Sequence, residues 1–181
     1  HRDLHSFPTR RSSDLENKFS ADRNMVFDQT HGKLPPQAPD IEEVVLGALL
    51  LEKNALTAVV DFLRPPAFYR ENHQRIYSAI LRLFANSESI DIITVTNELR
   101  KSGELEIIGG PYYIAQLTNR VASSANIEFH ARIIAEKYIQ RELIRISTTI
   151  IQEAFQETTD VFDLLDNAEQ ALFSVDRKSV V

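Results

Sequence analysis

The stretch that decides the fold is NIEFHARIIAEKYIQRELIRISTTIIQEAF, residues 126–155. It contains no Gly or Pro, and Ser123 and Ser124 just before it are interpreted as a helix cap. Its main stripe of apolar side chains recurs at helical spacing and consists of Ile127, Ala131, Ile134, Tyr138, Leu143, Ile146, Ile150 and Ala154. This pattern predicts one amphipathic helix of about 30 residues and about 45 Å.

A second amphipathic segment follows the polar residues 157–160 (ETTD), of which Thr159 or Asp160 can cap the next helix. Its apolar residues are Val161, Leu164, Leu165, Ala168, Ala171, Leu172 and Val175. Two amphipathic helices joined by a short turn predict an antiparallel hairpin over residues 123–175. Because a bare hairpin buries too little surface, its outer apolar residues should contact the globular part or another subunit. The candidates off the main stripe are Ile133, Ile139, Ile144, Ile151 and Phe155.

Shorter periodic segments between Gly and Pro residues predict five helices in a globular head, residues 40–122. The first carries apolar residues on a wide face and should be buried on more than one side. The second, from about Leu56 to Leu63, must end before the two prolines that follow. The expected caps and breakers are Asp40 with Glu43 in a capping box, Asn72, Asp91, Gly103 and Pro111. With almost no strand signal, the expected fold is all-α: a compact orthogonal bundle followed by a long antiparallel helical hairpin.

The two ends of the chain have a different character. Residues 1–39 carry four prolines and no periodicity, which predicts a disordered leader. The opening run, residues 1–15, looks like a vector, adapter or assembly sequence, and the tail at 176–181 invites the same interpretation. We expect both to be non-native and exclude them from the fold prediction.

Composition narrows the function classes. The chain has 181 residues, no Cys and a formal net charge of −6. The lack of Cys excludes disulfides, a thiol nucleophile and Cys-ligated metals, and it fits a reducing, cytoplasmic setting. The longest apolar run is far shorter than the roughly 20 residues that span a bilayer, so no membrane association is expected. The acidic balance predicts little direct binding to nucleic acid.

No pattern of catalytic or ligand-binding residues is visible. The sequence lacks a Gly-rich phosphate-binding loop, and its histidines lack metal-ligand spacing. We interpret His73 as a solvated or locally bonded side chain. We interpret Glu42 and Glu43 as residues that cap the first helix and interact with its dipole. The sequence therefore predicts no catalytic, cofactor-binding or metal-binding residues. From residue 146 to residue 175 there is no Lys or Arg while acids accumulate, which would repel DNA or attract a basic protein surface.

Five blocks follow one another along the chain: PPQAPDIEEVVLGALLLE at 35–52, FYRENHQRIY at 68–77, DIITVTNEL at 91–99, IGG at 108–110 with YIAQL at 113–117, and ANIE at 125–128 with ARI at 131–133. They resemble the N-terminal region of bacterial replicative DNA helicases of the DnaB family. Any one block is weak, but five in family order, over about residues 34–175, are strong. The PPQAPD lead looks most like helicases of the Bacteroidetes type.

The resemblance implies a helical head and hairpin, six copies of which form a collar, usually a trimer of dimers, above a ring of motor domains. In that family the motor holds ATP and magnesium, and the whole protein is an ATP-dependent 5′–3′ DNA helicase. The head and hairpin also dock the C-terminal domain of primase and, in some lineages, a helicase loader. The resemblance thus implies a non-enzymatic collar domain that binds copies of itself and primase, with no cofactor of its own.

We expect the partner contact to involve Ile133, Tyr138, Arg141 and Ile144 on the long helix. The alternative is an autonomous small helical enzyme or nucleotide-binding protein, which would bind ATP with magnesium saturably. A third class, an autonomous DNA-binding module, predicts a steep salt dependence of affinity that the acidic second half argues against.

Overall fold

The computed structural model describes residues 32–121, 126–156 and 158–179, with side chains as far as residue 175. The α-helices in these ranges are α1 (Pro39–Leu51), α2 (Glu71–Ala85), α3 (Ile92–Lys101), α4 (Gly110–Asn119), α5 (Ile127–Ala154) and α6 (Val161–Ser179). Two short 3-10 turns, Leu56–Ala58 and Pro65–Ala67, lie between α1 and α2. No strand occurs in the described part of the chain, which confirms the all-α prediction.

Helix α1 lies at the centre of the head. Its residues from Val45 to Leu50 are all buried, and it packs against α2, α4 and α5. This confirms that the first helix is covered on more than one side. Gly47 lies where α1 and α4 approach most closely, since a Cβ atom there would overlap the carbonyl oxygen of Leu117. A side chain at this position would therefore separate the two helices.

The second predicted helix does not form, so the prediction of five α-helices in the head is wrong. The segment is instead a 3-10 turn followed by loose turns, although its apolar residues Leu56, Val59 and Leu63 are buried as their spacing suggested. A segment this short is a marginal helix, and the β-branched pair at residues 59 and 60 weakens it further. Burial rather than helix propensity decides its position.

The predicted helix caps are partly right. The Asp91 carboxylate accepts hydrogen bonds from the amides of Ile93 and Thr94. The Thr94 hydroxyl oxygen in turn accepts a hydrogen bond from the amide of Asp91, which completes a capping box. Gly103 has the expected left-handed conformation, with φ of +72°. The Asp160 carboxylate accepts a bond of 2.8 Å from the amide of Phe162 at the start of α6.

Two expected caps are wrong. Helix α1 begins at Pro39, so its cap position is Ala38, which has no polar side chain, and Asp40 lies inside the first turn. Glu43 does not complete a capping box, because it pairs with Arg70 and Arg120. Helix α2 begins one residue before Asn72 and also lacks a side-chain cap. In the first case, the cationic partners outcompete an exposed backbone amide for the carboxylate.

Helix α5 serves both parts of the molecule. Its first half buries Ile127, Ala131 and Ile134 in the core of the head, and its second half packs against α6, where Ile146 and Val175 are buried. Since α5 and α6 are joined by a short turn and pack side by side, they form the predicted antiparallel hairpin.

Residues Pro36–Val181 form one compact unit that includes head and hairpin. The other unit, His1–Pro35, is described only over residues 32–35. Most of the predicted leader and the final residues of the predicted tail lie outside the described ranges, as do residues 122–125 at the predicted boundary between head and hairpin. Those domain limits stay predictions. None of the described helices is both long and apolar enough to span a bilayer.

Candidate interaction surface

The hairpin exposes an unusual number of large apolar side chains. On α5 they include Leu143, Ile144 and Ile151, and on α6 they are Val161, Phe162, Leu165, Leu172 and Phe173. Exposed apolar residues scattered singly need no explanation, whereas a set arranged along one face indicates an interaction surface.

Part of this exposed set falls in two stripes. At about 100° per residue, the exposed Ile144 and Ile151 and the partly buried Ile133 fall within roughly 20° of one another on α5. The α6 residues Val161, Leu165 and Leu172 fall within roughly 40°, whereas Leu143, Phe162 and Phe173 lie outside both stripes. On α5 this stripe lies roughly 120° around the helix from Ala131 and Ile134, which are buried in the head. We call Ile133, Ile144, Ile151, Val161, Leu165 and Leu172 the apolar hairpin surface.

The four residues predicted to contact a partner divide into two pairs. Ile144, which is 50% exposed, and the partly buried Ile133 belong to the apolar hairpin surface. Tyr138 packs against the core of the head, and burial raises the pKa of its hydroxyl. Arg141 is bonded to the head, as described next. The structure therefore brings Ile133 and Ile144 to one side of α5, and Tyr138 and Arg141 to the junction with the head.

The Arg141 side chain spans two segments of the head. Its Nη1 donates to the carbonyl oxygen of Pro36 at 2.8 Å, and its Nη2 donates to that of Ala67 at 2.6 Å. Its guanidinium carbon lies 5.6 Å from the centre of the Tyr69 ring and 5.8 Å from that of Tyr138. Removal from water lowers the pKa of the guanidinium, which nevertheless stays cationic at neutral pH.

The loop at residues 67–70, whose Ala67 carbonyl accepts a hydrogen bond from Arg141, is also bonded to Glu42 of α1. This carboxylate is 1% exposed; one oxygen accepts the amide of Tyr69 at 2.6 Å, and the other accepts that of Arg70 at 3.4 Å. The second oxygen also lies 2.7 Å from Nδ1 of His73, whose Nε2 lies 2.6 Å from the Tyr113 hydroxyl. A hydrogen-bonded chain thus links α1, the loop, α2 and α4.

This buried network corrects two interpretations of the sequence. Glu42 does not serve the helix start, and His73 is neither solvated nor locally bonded, because it is fully buried against residues 31 and 40 positions away. The helical spacing of the sequence already indicated that both side chains are buried. Glu42 precedes Val45 and Leu46 by three and four residues, and His73 precedes Ile76 and Tyr77 by the same intervals, so both belong to apolar faces.

Charged side chains are distributed unequally between the two helices of the hairpin. The outer side of α6 carries Asp163, Asp166 and Glu169, all exposed, while the basic residues of α5 such as Arg132 and Arg145 pair with acids on their own helix. Within the described ranges, no group of three His, Asp or Glu side chains is placed to hold a metal ion.

A groove of about 440 Å³ lies between α1 and α4 and is lined by Glu43, Tyr113 and Arg120. The Glu43 carboxylate and the Arg120 guanidinium form an ion pair at 3.3 Å.

Comparison with known proteins agrees with this architecture. Residues 34–136 match the model of the DnaB-like helicase N-terminal domain. The chain belongs to this family. A replicative DNA helicase DnaB from Rhodothermus marinus is 48% identical over 145 residues, which are 80% of this chain and 15% of that protein. The replicative DNA helicase DnaC of Bacillus subtilis is 43% identical over 150 residues, which are 83% of this chain and 33% of that protein.

The chain thus spans a third or less of these two curated DnaB-type relatives. The Rhodothermus match agrees with the resemblance of the PPQAPD lead to Bacteroidetes-type helicases. Among solved structures, the N-terminal domain of DnaB helicase from Mycobacterium tuberculosis matches with a TM-score of 0.74 and 38% identity, over 78% of this chain and 99% of that one. A DnaB-like replicative helicase, studied for its interactions with primase, matches with a TM-score of 0.64 over 76% of this chain and 30% of that one. At 24% identity this second likeness shows the fold alone.

Proposed function

We propose that this chain is the N-terminal collar domain of a hexameric replicative DNA helicase. In this role the head and hairpin hold subunits together, as dimers or as a trimer of dimers, and dock the C-terminal domain of primase or a helicase loader. The observation that carries the proposal is the apolar hairpin surface, most of which is exposed, in a chain of the DnaB-like N-terminal family. A monomer would gain nothing by exposing such a surface.

The catalytic work belongs, on this proposal, to a motor domain of the parent protein, which is an ATP-dependent 5′–3′ helicase of the cytoplasm. The collar itself needs no cofactor, and ATP and magnesium bind in the motor. Direct contact with DNA is minor here, since the acidic residues of α6 repel phosphates. Titration of this chain with ATP and magnesium should show no saturable binding, and saturable binding would favour an autonomous nucleotide-binding protein.

The association is tested by placing a charge in the apolar hairpin surface. Leu165→Asp should weaken self-association in sedimentation velocity, because burying an unpaired carboxylate in an interface is costly. Gln170→Asp is the matched control, since it adds the same charge to an exposed position about 140° away on the same helix. If the wild type stays monomeric at high micromolar concentration, the association part of the proposal is wrong.

Primase docking is tested on α5. A solved relative is described with its interactions with primase, and we propose that Ile133, Tyr138, Arg141 and Ile144 take part in the corresponding contact here. Ile144→Asp should reduce binding of the C-terminal domain of primase in calorimetry, whereas Gln152→Asp, at an exposed position on another side of α5, should not. If alanine at all four positions leaves primase binding intact in a folded protein, this assignment fails.

A further inference from the structure

The contacts of Arg141 lie where α5 leaves the head. The residue stands between the part of α5 that is buried in the head, which ends near Tyr138, and the part that packs against α6, which begins at Ile146. Its two bonded carbonyls belong to segments that lie 105 and 74 residues earlier in the chain. One planar guanidinium therefore joins three separate segments at the base of the hairpin.

The segment that contains the Ala67 acceptor of Arg141 is itself held in place. Ala67 is buried in the 3-10 turn, the next carbonyl, that of Phe68, accepts a bond of 2.8 Å from Gln74 Nε2, and the following amide donates to Glu42. Since bonds to a guanidinium depend on direction, its bonds to carbonyls of two different segments restrict both the position and the tilt of the helix that carries the arginine. The Tyr69 and Tyr138 rings close the space beside it.

We propose that Arg141 is a positioning residue, which sets the angle between hairpin and head and so aligns the apolar hairpin surface for association between subunits. The second half of this statement rests on the collar function proposed above, and the first half does not. In the association between subunits, Arg141 acts through the direction of α5 and not through a contact of its own with the neighbouring subunit.

The angle can be measured directly because the chain contains no Cys. Ser89→Cys on the head and Gln170→Cys on α6 are both at exposed positions, and they give two unique sites for spin labels. The distance distribution between the labels is measured by pulsed electron resonance, in a mixture with excess unlabelled protein so that only distances within one chain contribute. Far-UV circular dichroism of each variant reports whether the helices are retained.

The main variant is Arg141→Gln, and Arg145→Gln is its matched control. Arg145 lies one turn further along α5 and pairs with Glu142 at an exposed position. We expect the distance distribution to broaden in Arg141→Gln with helicity retained, and to stay at its wild-type width in Arg145→Gln. Arg141→Lys should give an intermediate width, because an ammonium keeps the charge but lacks the planar fork. A wild-type width in folded Arg141→Gln overturns the proposal.

If Arg141→Gln does not fold, the Lys variant together with Tyr69→Ala decides, and wild-type widths in both overturn the proposal. Self-association is then measured by sedimentation, where we expect Arg141→Gln to weaken it about tenfold. A broad distribution with wild-type association would disprove the alignment, and a narrow one with weak association would show a direct contact instead of positioning. Should the wild type itself fail to associate, the collar function fails while the distances still decide the role of Arg141.

Discussion

Replacement of Gly47 by alanine should destabilise the protein, although the same change stabilises most helices. In the middle of a helix, alanine is favoured over glycine by about 1 kcal/mol. At Gly47, however, the new Cβ would overlap the Leu117 carbonyl oxygen, and would lie 2.6 Å from Val121 Cγ2 and 2.9 Å from the Leu117 carbonyl carbon. Two of these atoms are backbone, so rotation of a side chain cannot relieve the overlap.

The size of the effect follows from the distance by which α1 and α4 must separate. Carbon atoms pack at about 3.5–4.0 Å, so the helices must move apart by about 1 Å. An extra methyl group in a well-packed core costs about 1–3 kcal/mol, and this helix pair also loses contacts along its length. After the gain in helix propensity is subtracted, we expect a net loss of about 2 kcal/mol, or a melting temperature lower by about 6 °C.

Thermal and urea unfolding followed by circular dichroism measure this loss. Val121→Ala in the Gly47→Ala background should recover only part of it, since the methyl group of Val121 is removed and the Leu117 carbonyl remains. Equal or higher stability of Gly47→Ala would show that α4 yields without cost, and the explanation of this glycine as a point of close approach would then be incorrect.

Three further predictions concern buried polar groups and a cap. Burial raises the pKa of the Tyr77 hydroxyl, so the folded state resists its ionisation, and stability should fall as pH rises above about 10, by up to about 1.4 kcal/mol per pH unit. Tyr77→Phe should reduce this slope in urea unfolding at pH 8–11 while the exposed Tyr112→Phe should not, and equal slopes in all three proteins would contradict the assignment. Tyr113→Phe should cost about 1–3 kcal/mol because it leaves a ring nitrogen of His73 unsatisfied, and a neutral effect in chemical denaturation would show that water replaces the hydroxyl. Asp91→Ala should cost about 1 kcal/mol through loss of the capping box, whereas Asp91→Asn should retain most of it, and similar losses for the two would refute a capping role.

The features that could be predicted from the sequence depend on neighbours along the chain. The length of α5, the start of α6 at Asp160 and the cap at Asp91 all follow from residues within one or two helical turns of each other. The exposed Ile144 could also be found, because its position relative to the buried stripe of α5 is fixed by the helical period.

The features that could not be predicted depend on groups distant in the chain. Glu42 and Glu43 look alike as a pair of acids at a helix start, but one accepts two amides from the loop at 69–70 and the other pairs with Arg70 and Arg120. The acceptors of Arg141 are main-chain carbonyls, which every residue possesses, so no motif marks them. Only the fold decides which of them meet the guanidinium.

The continuity of α5 has a mechanical consequence. Because one uninterrupted helix runs from the head core to the turn at its far end, the hairpin extends as a rod, and a bend at its base, taken here as the hinge, would be carried along its whole length. From Arg141 to Ala154 this rod is about 20 Å long at 1.5 Å per residue. A tilt of about 5° at the hinge displaces its tip by nearly 2 Å, roughly half the spacing between packed carbon atoms. Small changes around a single guanidinium are thus magnified at the far end of the molecule.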